Sequence, residues 1–347
     1  MLCYDDNCNT GRRFWECLLS LGLNAIMFKG VPHLFGYPNQ APIHPSLCVM
    51  PIDTRPMIIQ AYGMDDLIRN SKVVHFLAST FVAPRNSRIY QDCKIVVQHG
   101  GSTYRAWPER SNLIFNRIAD ATIIQCPDLL GYGAKNEHLI FYPVDTDYIT
   151  PNFERKDQDK LIIGHFPSNR DVKGTATIVP VIDALLERHP DKFIYIGARP
   201  EIPKQVVMLG NNVHKVAQDI VSWDDNLKRI QSCDIVIETL NPEIGGKKYG
   251  AWGNTALEAA ASGVIPVSND LYSEVYFDQY GYAPAMFKAN TGEDLYKLLE
   301  GLIGSENDHI RALKEATRKW AVKYHSIKAT ADRLWDRVYK DFFPEMQ

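Results

Sequence analysis

The chain has 347 residues, 45% of them hydrophobic, which is too long for one ordinary core and fits two domains of common size. Lys and Arg number 38 against 41 Asp and Glu, a formal charge of -3, so no overall basic field recruits nucleic acid or an acidic membrane. Seven cysteines, at positions 3, 8, 17, 48, 93, 126 and 233, form no CxxC pair and argue against a disulfide framework or a zinc ribbon. No apolar run approaches the roughly 20 residues of a membrane span, and the first residues lack a basic-then-apolar signal pattern. A soluble, cytoplasmic protein with reduced thiols is expected.

Apolar strands alternate with helical patterns almost throughout, the sequence appearance of βαβ units and parallel sheets. In the first half, Met1–Tyr4, Ala25–Phe28, Val73–Leu77, Ile95–Val97 and Thr122–Ile124 read as strands, and Gly11–Gly22 as a helix. Pro and Gly cluster from Gly30 to Pro56, which reads as a long surface connection. The pattern restarts with strands at Leu161–Gly164, Phe193–Ile196, Ile235–Ile237 and Ile265–Val267, with helices between them. Between the halves, the polar stretch NFERKDQDK (Asn152–Lys160) reads as an interdomain linker or as an ordinary surface loop. At the end of the chain, Leu334, Val338 and Phe342 recur at spacing four, so Ala329–Phe342 reads as a closing amphipathic helix.

The richest stretch is GAWGNTALEAAASGVIPVS, from Gly250 to Ser268. Gly253, Asn254 and Thr255 precede an Ala-rich helical run, and free N–H groups at a helix start suit phosphate. Gly263 then stops the helix before the strand IPV. Glu258, one turn into that helix, is placed to accept from the hydroxyls of an attached ribose or sugar rather than to ligate phosphate. In IIGHFPSNRDVKGT, strand Leu161–Gly164 runs into a loop with Arg170 and Lys173, a planar fork and a point charge able to neutralise a diphosphate, or else a solvated basic turn.

His99 ends the strand KIVVQH and enters GGSTYR, a position for a proton shuttle or a hydroxyl partner, or for a histidine satisfied by the loop backbone. Arg105, Arg110 and Arg117, with Trp107 among them, fit an anionic or carbohydrate acceptor, or a solvated helix face. Asp145 and Asp147 form a DxD, but Pro143 marks a turn there and turn chemistry is favoured over a metal. No metal site is assigned: HExxH is absent, as are GxSxG, GxxxxGK[ST] and GxGxxG, which lowers the weight of metalloprotease, serine hydrolase, ATPase and dehydrogenase readings.

Taken in order, IADATIIQCPDLLGYGAKNEHLIFYPVDTDYI (118–149), IIGHFPSNRDVKGT (162–175), SCDIVIETL (232–240) and GAWGNTALEAAASGVIPVS resemble the retaining nucleotide-sugar glycosyltransferases of GT-B fold, in particular glycosyltransferase family 4. The resemblance spans most of the chain. It implies an α/β architecture of two Rossmann-like domains with parallel sheets facing across a cleft: an acceptor domain at 1–151, a donor domain at 152–325, and a C-terminal helix within 326–347 crossing back to the first. By matching position, Arg170 and Lys173 grip the donor diphosphate and Glu258 holds the ribose. Gly253, Asn254 and Thr255 offer N–H groups to phosphate, and Gly164 is counted with these donor-binding residues. The stretch from Val216 to Val221, before a helix at Asp225–Gln231, contacts the base. His99 lies near the transferred sugar, and Gly11 falls in the glycine loop approaching the diphosphate.

Two departures stand out. The family's E-x7-E pair has Gly250 where its first glutamate belongs, and Glu243 has the wrong spacing to replace it. The loop NCNTGRR carries one glycine where two are common, behind an opening strand of only Met1–Tyr4.

The implied activity is metal-independent, retaining transfer of a hexose-like sugar from a nucleotide diphosphate sugar to an acceptor hydroxyl, an EC 2.4 reaction of carbohydrate biosynthesis. The nucleotide sugar is a co-substrate and no cofactor is called for. The expected partners are that donor and a carbohydrate or other hydroxyl-bearing acceptor. An epimerase or hydrolase on the same fold, and a degenerate transferase that only binds nucleotide sugar, remain alternatives; glucosylation of DNA is disfavoured by the net charge.

Overall fold

The computed structural model describes residues 1–3, 6–33, 35–37, 40–43, 47–49, 57–61, 64–77, 80–83, 90, 92–153, 160–199, 205–209, 212–216, 221–249 and 253–346. They form two compact units, Met1–Pro143 together with Ile327–Gln347, and Val144–Ser326. The chain thus crosses between the units at 143–144 and again at 326–327. Of the polar stretch read as a linker, residues 154–159 lie outside the described residues.

The first unit opens with β1 (Leu2–Cys3), α1 (Thr10–Ser20) and β2 (Phe28–Lys29). β3 (Leu47–Val49), β4 (Met57–Ala61), α2 (Asp65–Arg69), β5 (Val73–Leu77) and β6 (Thr80–Ala83) follow. It continues with β7 (Lys94–His99), α3 (Gly101–Ala106), α4 (Pro108–Phe115), β8 (Ala121–Ile124) and β9 (Glu137–Leu139). The six-stranded sheet has the order β2-β1-β5-β7-β8-β9, parallel throughout. Parallel strands are covered on both faces, which is why β7 and β8 read as apolar runs rather than as alternating patterns. The Gly30–Pro56 interval departs from the expected plain connection. β3 lies inside it and pairs antiparallel with β4, which pairs parallel with β6 in a second, three-stranded sheet. A three-residue strand among prolines and glycines gives too few residues for a periodicity to register.

The second unit contains β10 (Leu161–His165), α5 (Arg170–Lys173), α6 (Thr175–Arg188), β11 (Phe193–Gly197), the hairpin β12 (Gln205–Leu209) and β13 (Asn212–Val216), and α7 (Trp223–Gln231). It goes on through β14 (Ile235–Thr239), the short hairpin β15 (Glu243–Ile244) and β16 (Lys247–Lys248), α8 (Asn254–Ala261) and β17 (Ile265–Ser268). α9 (Ser273–Tyr280), β18 (Phe287–Lys288), α10 (Gly292–Ile303) and α11 (Asn307–His325) complete it. Its five-stranded sheet is parallel in the order β11-β10-β14-β17-β18. Ile163, Ile235, Ile237 and Ile265 pack there with Ile178 and Ile182 of α6 and Leu295 and Leu299 of α10. At Gly263 the backbone turns left-handed (φ 68°), so α8 ends where the sequence placed its stop. Asp145 accepts from the N–H groups of Asp147 (3.2 Å) and Tyr148 (2.9 Å), the turn chemistry expected of the DxD pair.

After leaving the second unit, α12 (Ile327–Leu334) runs into a π turn at Trp335–Tyr339 and a 3-10 turn at Lys340–Phe342, all belonging to the first unit. Ala331, Leu334, Val338 and Tyr339 pack with Phe14, Cys17 and Leu18 of α1 and with Val96 and Ile123 of the sheet. The Tyr339 hydroxyl lies 2.9 Å from His75 Nδ1 on β5, so the closing segment is bonded to the sheet as well as packed against it. No helix among the described residues is long and apolar enough to cross a membrane.

Candidate functional site

In the second unit the chain leaves β10 for β11 on one side and later returns to β14 on the other. The carboxyl ends of β10 and β14 therefore border the switch point at which open α/β sheets bind ligands. The loop after β10 is shaped for this place. Asn169 caps α5, its side-chain oxygen accepting from the N–H groups of Asp171 (3.1 Å) and Val172 (3.2 Å). Gly174 follows in the left-handed region (φ 72°), and a Cβ there would stand 2.1 Å from the Leu240 carbonyl oxygen. Leu240 N–H in turn donates to the Lys173 carbonyl at 3.0 Å. Only glycine permits this double contact, which seats the Arg170–Lys173 turn on the end of β14.

Arg170 is buried and Lys173 half-buried in that turn. The Lys173 ammonium pairs with Oε1 of Glu238, a buried carboxylate near the end of β14, whose Oε2 accepts from Ser268 Oγ at 3.2 Å. Gly253, just before α8, faces the same pair: its missing Cβ would stand 3.0 Å from Glu238 Oε1 and 3.6 Å from Lys173 Nζ. Three segments far apart in sequence thus meet around one ion pair, and Asn254 and Thr255 begin the helix beside it. Glu258 is buried one turn further on and accepts from the Trp223 indole N–H of α7 at 2.9 Å.

His165, the last residue of β10, is fully buried. Its Nδ1 donates to the Ile237 carbonyl (2.8 Å), and its Nε2 lies 2.9 Å from Thr175 Oγ1, joining β10, β14 and α6 behind the Arg170–Lys173 turn. Burial lowers its pKa to about 4, so it is neutral near pH 7. Neither His165 nor Glu238 was among the residues singled out from sequence. The signal for Glu238 was a carboxylate closing an apolar strand, IVIET, since such a group is seldom buried without a partner. His165 ends LIIGH as His99 ends KIVVQH.

Other expected donor residues lie elsewhere in the second unit. Gly164 sits within β10, where a Cβ would meet Phe166 (2.6 Å) and Cys233 (2.7 Å), so its bareness serves packing. Val216 closes β13 and Val221 is half-buried before α7, while 217–220 and Gly250 lie outside the described residues. Glu243 is exposed in the β15–β16 hairpin.

The first unit holds the other expected residues. Gly11 N–H donates to Asp6 Oδ1 at 2.6 Å and Arg12 N–H to Asp6 Oδ2 at 2.9 Å. The N–H groups of the loop expected to approach a diphosphate thus bond the chain's own carboxylate here, and a Cβ at Gly11 would stand 2.6 Å from Met27 and 2.7 Å from Leu77. His99 is fully buried at the end of β7, stacked on Tyr104 at 3.9 Å between ring centroids and edge-on to Phe115 at 5.4 Å. Desolvation lowers its pKa to about 3, which fixes it in the neutral form. Arg105 is bound to the buried Asp128 (2.6 Å), whereas Arg110, Arg117 and Trp107 are exposed. Among the described residues no group of three or more His, Cys, Asp or Glu side chains is placed to hold a metal ion.

No protein-family model matches the sequence, and a search of curated proteins finds no match. Solved structures do match. The chain is similar to a glycosyltransferase from Rickettsia africae at 13% identity, with 98% of this chain and 97% of that chain covered and a TM-score of 0.58. It is similar to HepE of Anabaena, solved with UDP and glucose, at 10% identity, covering 98% and 99% of the two chains with a TM-score of 0.57. A third match is an alpha-glucosyltransferase solved with UDP and a 13-mer DNA, at 10% identity, 96% and 97% coverage and a TM-score of 0.59. At such identity the likeness is one of fold: two α/β units, each on a parallel sheet, in the architecture of the GT-B glycosyltransferases.

Proposed function

We propose that this protein is a glycosyltransferase that moves a sugar from a nucleotide diphosphate sugar to an acceptor hydroxyl, with retention of configuration, without a metal, and in the manner of family 4. One observation carries the reading: the Lys173 ammonium, on the turn that also carries the buried Arg170, lies beside Gly253 at the start of α8, at the carboxyl edge of the second unit's sheet. Cleavage of the donor leaves negative charge on the diphosphate. A fixed guanidinium, an ammonium and helix N–H groups stabilise that charge where it develops.

In this reading Arg170 and Lys173 hold the diphosphate and supply the charge that a metal would otherwise bring. Asp145 Oδ1 accepts from the N–H groups of its own turn, which supports a structural role for the DxD pair. Gly253, Asn254 and Thr255 approach the phosphate with backbone, and Glu258, oriented by Trp223, accepts from ribose hydroxyls. Val216 and Val221 are assigned to the base. The matched structures carrying UDP support a uridine nucleotide as the first donor base to try.

Incubation with nucleotide sugars and a panel of carbohydrate acceptors, in the presence of a chelator, tests this reading with NMR of the products. The expected outcome is a new glycosidic bond with the anomeric configuration of the donor. Inverted product, strict metal dependence, or epimerised or hydrolysed donor as sole product would each contradict a named part.

A further inference from the structure

Glu238 is at odds with a site built only for anion affinity. Its side chain is 1% exposed and that of its partner Lys173 is 16% exposed, so both charges are largely out of water. A carboxylate in such a place persists only when it is paired. Yet the pairing lowers the positive potential that Lys173 presents to an incoming diphosphate. With no Cβ, Gly253 lets the backbone at the start of α8 pack close against the carboxylate, so Oε1 lies beside the helix start where a phosphate would be held.

We propose that Glu238 is a positioning residue that acts as an internal counter-ion to Lys173 and sets the affinity for the released nucleoside diphosphate. The proposal rests on the donor-site reading above. A lysine ammonium has three donors, so Lys173 can hold Glu238 and turn a second N–H to phosphate. Transfer breaks the bond between sugar and diphosphate, forms one from the sugar to the acceptor oxygen and releases the acceptor's hydroxyl proton to solvent, which leaves one more negative charge on the nucleotide product than the donor carried. Repulsion from Glu238 therefore weighs more on product than on donor. When the product leaves, Lys173 closes fully on Glu238 and no bare ammonium is left in a desolvated place, so release is eased at both ends.

Calorimetric titration of Glu238→Gln with UDP, GDP and ADP tests the proposal, alongside wild type and Glu238→Asp. Loss of one buried like charge should tighten the cognate nucleoside diphosphate by on the order of tenfold, and the cognate nucleotide sugar less. Product inhibition should strengthen in step, and steady-state turnover should fall while the single-turnover rate does not. Glu238→Asp keeps the charge and should stay near wild-type product affinity. Unchanged or weaker product binding in Glu238→Gln, with wild type binding normally, overturns the counter-ion role and leaves the donor reading standing. Binding of none of the three nucleotides to wild type overturns both. Should Glu238→Gln fail to fold, a crystal structure of wild type with the bound nucleotide decides: Lys173 should bridge Glu238 and a phosphate oxygen. An ammonium held by Glu238 alone, with phosphate out of reach, contradicts the proposal.

Discussion

The carboxyl edges of the two parallel sheets are built from the same kinds of parts and use them oppositely. In the first unit, the start of α1 is closed by Asp6, whose two oxygens take the N–H groups of Gly11 and Arg12, and His99 is sealed beneath Tyr104. In the second unit, a cation-bearing turn is seated on the neighbouring strand by Gly174, and the start of α8 faces an ammonium. A helix start is an anion site only when the chain has not already supplied the anion. At the first edge a carboxylate takes the helix-start N–H groups directly, and at the second the carboxylate of Glu238 takes an ammonium beside the helix start.

The strongest way to break this contrast is Lys173→Ala. Loss of one charge-stabilising donor should reduce turnover by a factor of order a hundred or more, read as kcat in a donor-consumption assay. Unchanged turnover would remove Lys173 from the diphosphate grip.

Gly174→Ala should come next. A side chain at φ 72° costs of order 1–3 kcal/mol, and its Cβ would press on the Leu240 carbonyl. Thermal unfolding should show the lowered stability, and donor affinity should fall with it because the turn that carries Arg170 and Lys173 is displaced. A Gly174→Ala protein with wild-type melting would mean that the turn is not seated as described.

Acid should separate the two units. His75 and His99 have pKa values lowered to about 3 and His33 to about 4, each mainly by desolvation, and all lie in the first unit. His165, lowered to about 4, is the counterpart in the second. Because the folded pKa values lie below that of a free histidine, the unfolded chain binds protons that the folded chain refuses. Stability is therefore full above about pH 6.5 and is lost as pH falls toward 3–4. Hydrogen exchange at pH 7 and pH 5 should show protection falling more in the strands around His75 and His99 than in β10. Equal loss in both units would contradict the assignment of these buried imidazoles.

The smallest effects concern caps. Asp6→Asn should cost about 0.5–1 kcal/mol through the lost charge at the start of α1, with donor affinity moving far less than in Lys173→Ala. Trp223→Phe removes the hydrogen bond to Glu258 and should cost about 1 kcal/mol, visible as a lowered melting temperature. If Asp6→Asn instead weakened donor binding as strongly as Lys173→Ala, the two edges would not differ as argued.

Much of the fold was legible because parallel strands are apolar runs between helices. β5 coincides with Val73–Leu77, and β7, β8, β10, β11, β14 and β17 enclose the stretches expected for them. The short elements were not legible. β3 and β6, at three and four residues, are too short to show a period, and β6 owes its pairing to β4, some twenty residues earlier in the chain.

At the site, Arg170, Lys173 and Gly253 stood out by residue type beside a strand end or helix start. Glu238 did not, because its meaning depends on β14 lying next to β10, a long-range adjacency that no local pattern encodes. The Asp6 contact at Gly11 was likewise not legible: Asp6 is close in sequence, but its turn back onto the helix start is set by the fold.

The most direct test of the account is a thermal-shift titration of wild type and the Arg170→Ala/Lys173→Ala double variant with UDP-, GDP-, ADP- and CMP-sugars. A ligand at a hundred times its Kd stabilises the folded state by about 2.7 kcal/mol. At least one nucleotide sugar should raise the melting temperature of wild type and leave that of the double variant unmoved. No shift from any donor, or an equal shift in both proteins, would contradict the assignment of the second unit's edge as the donor site.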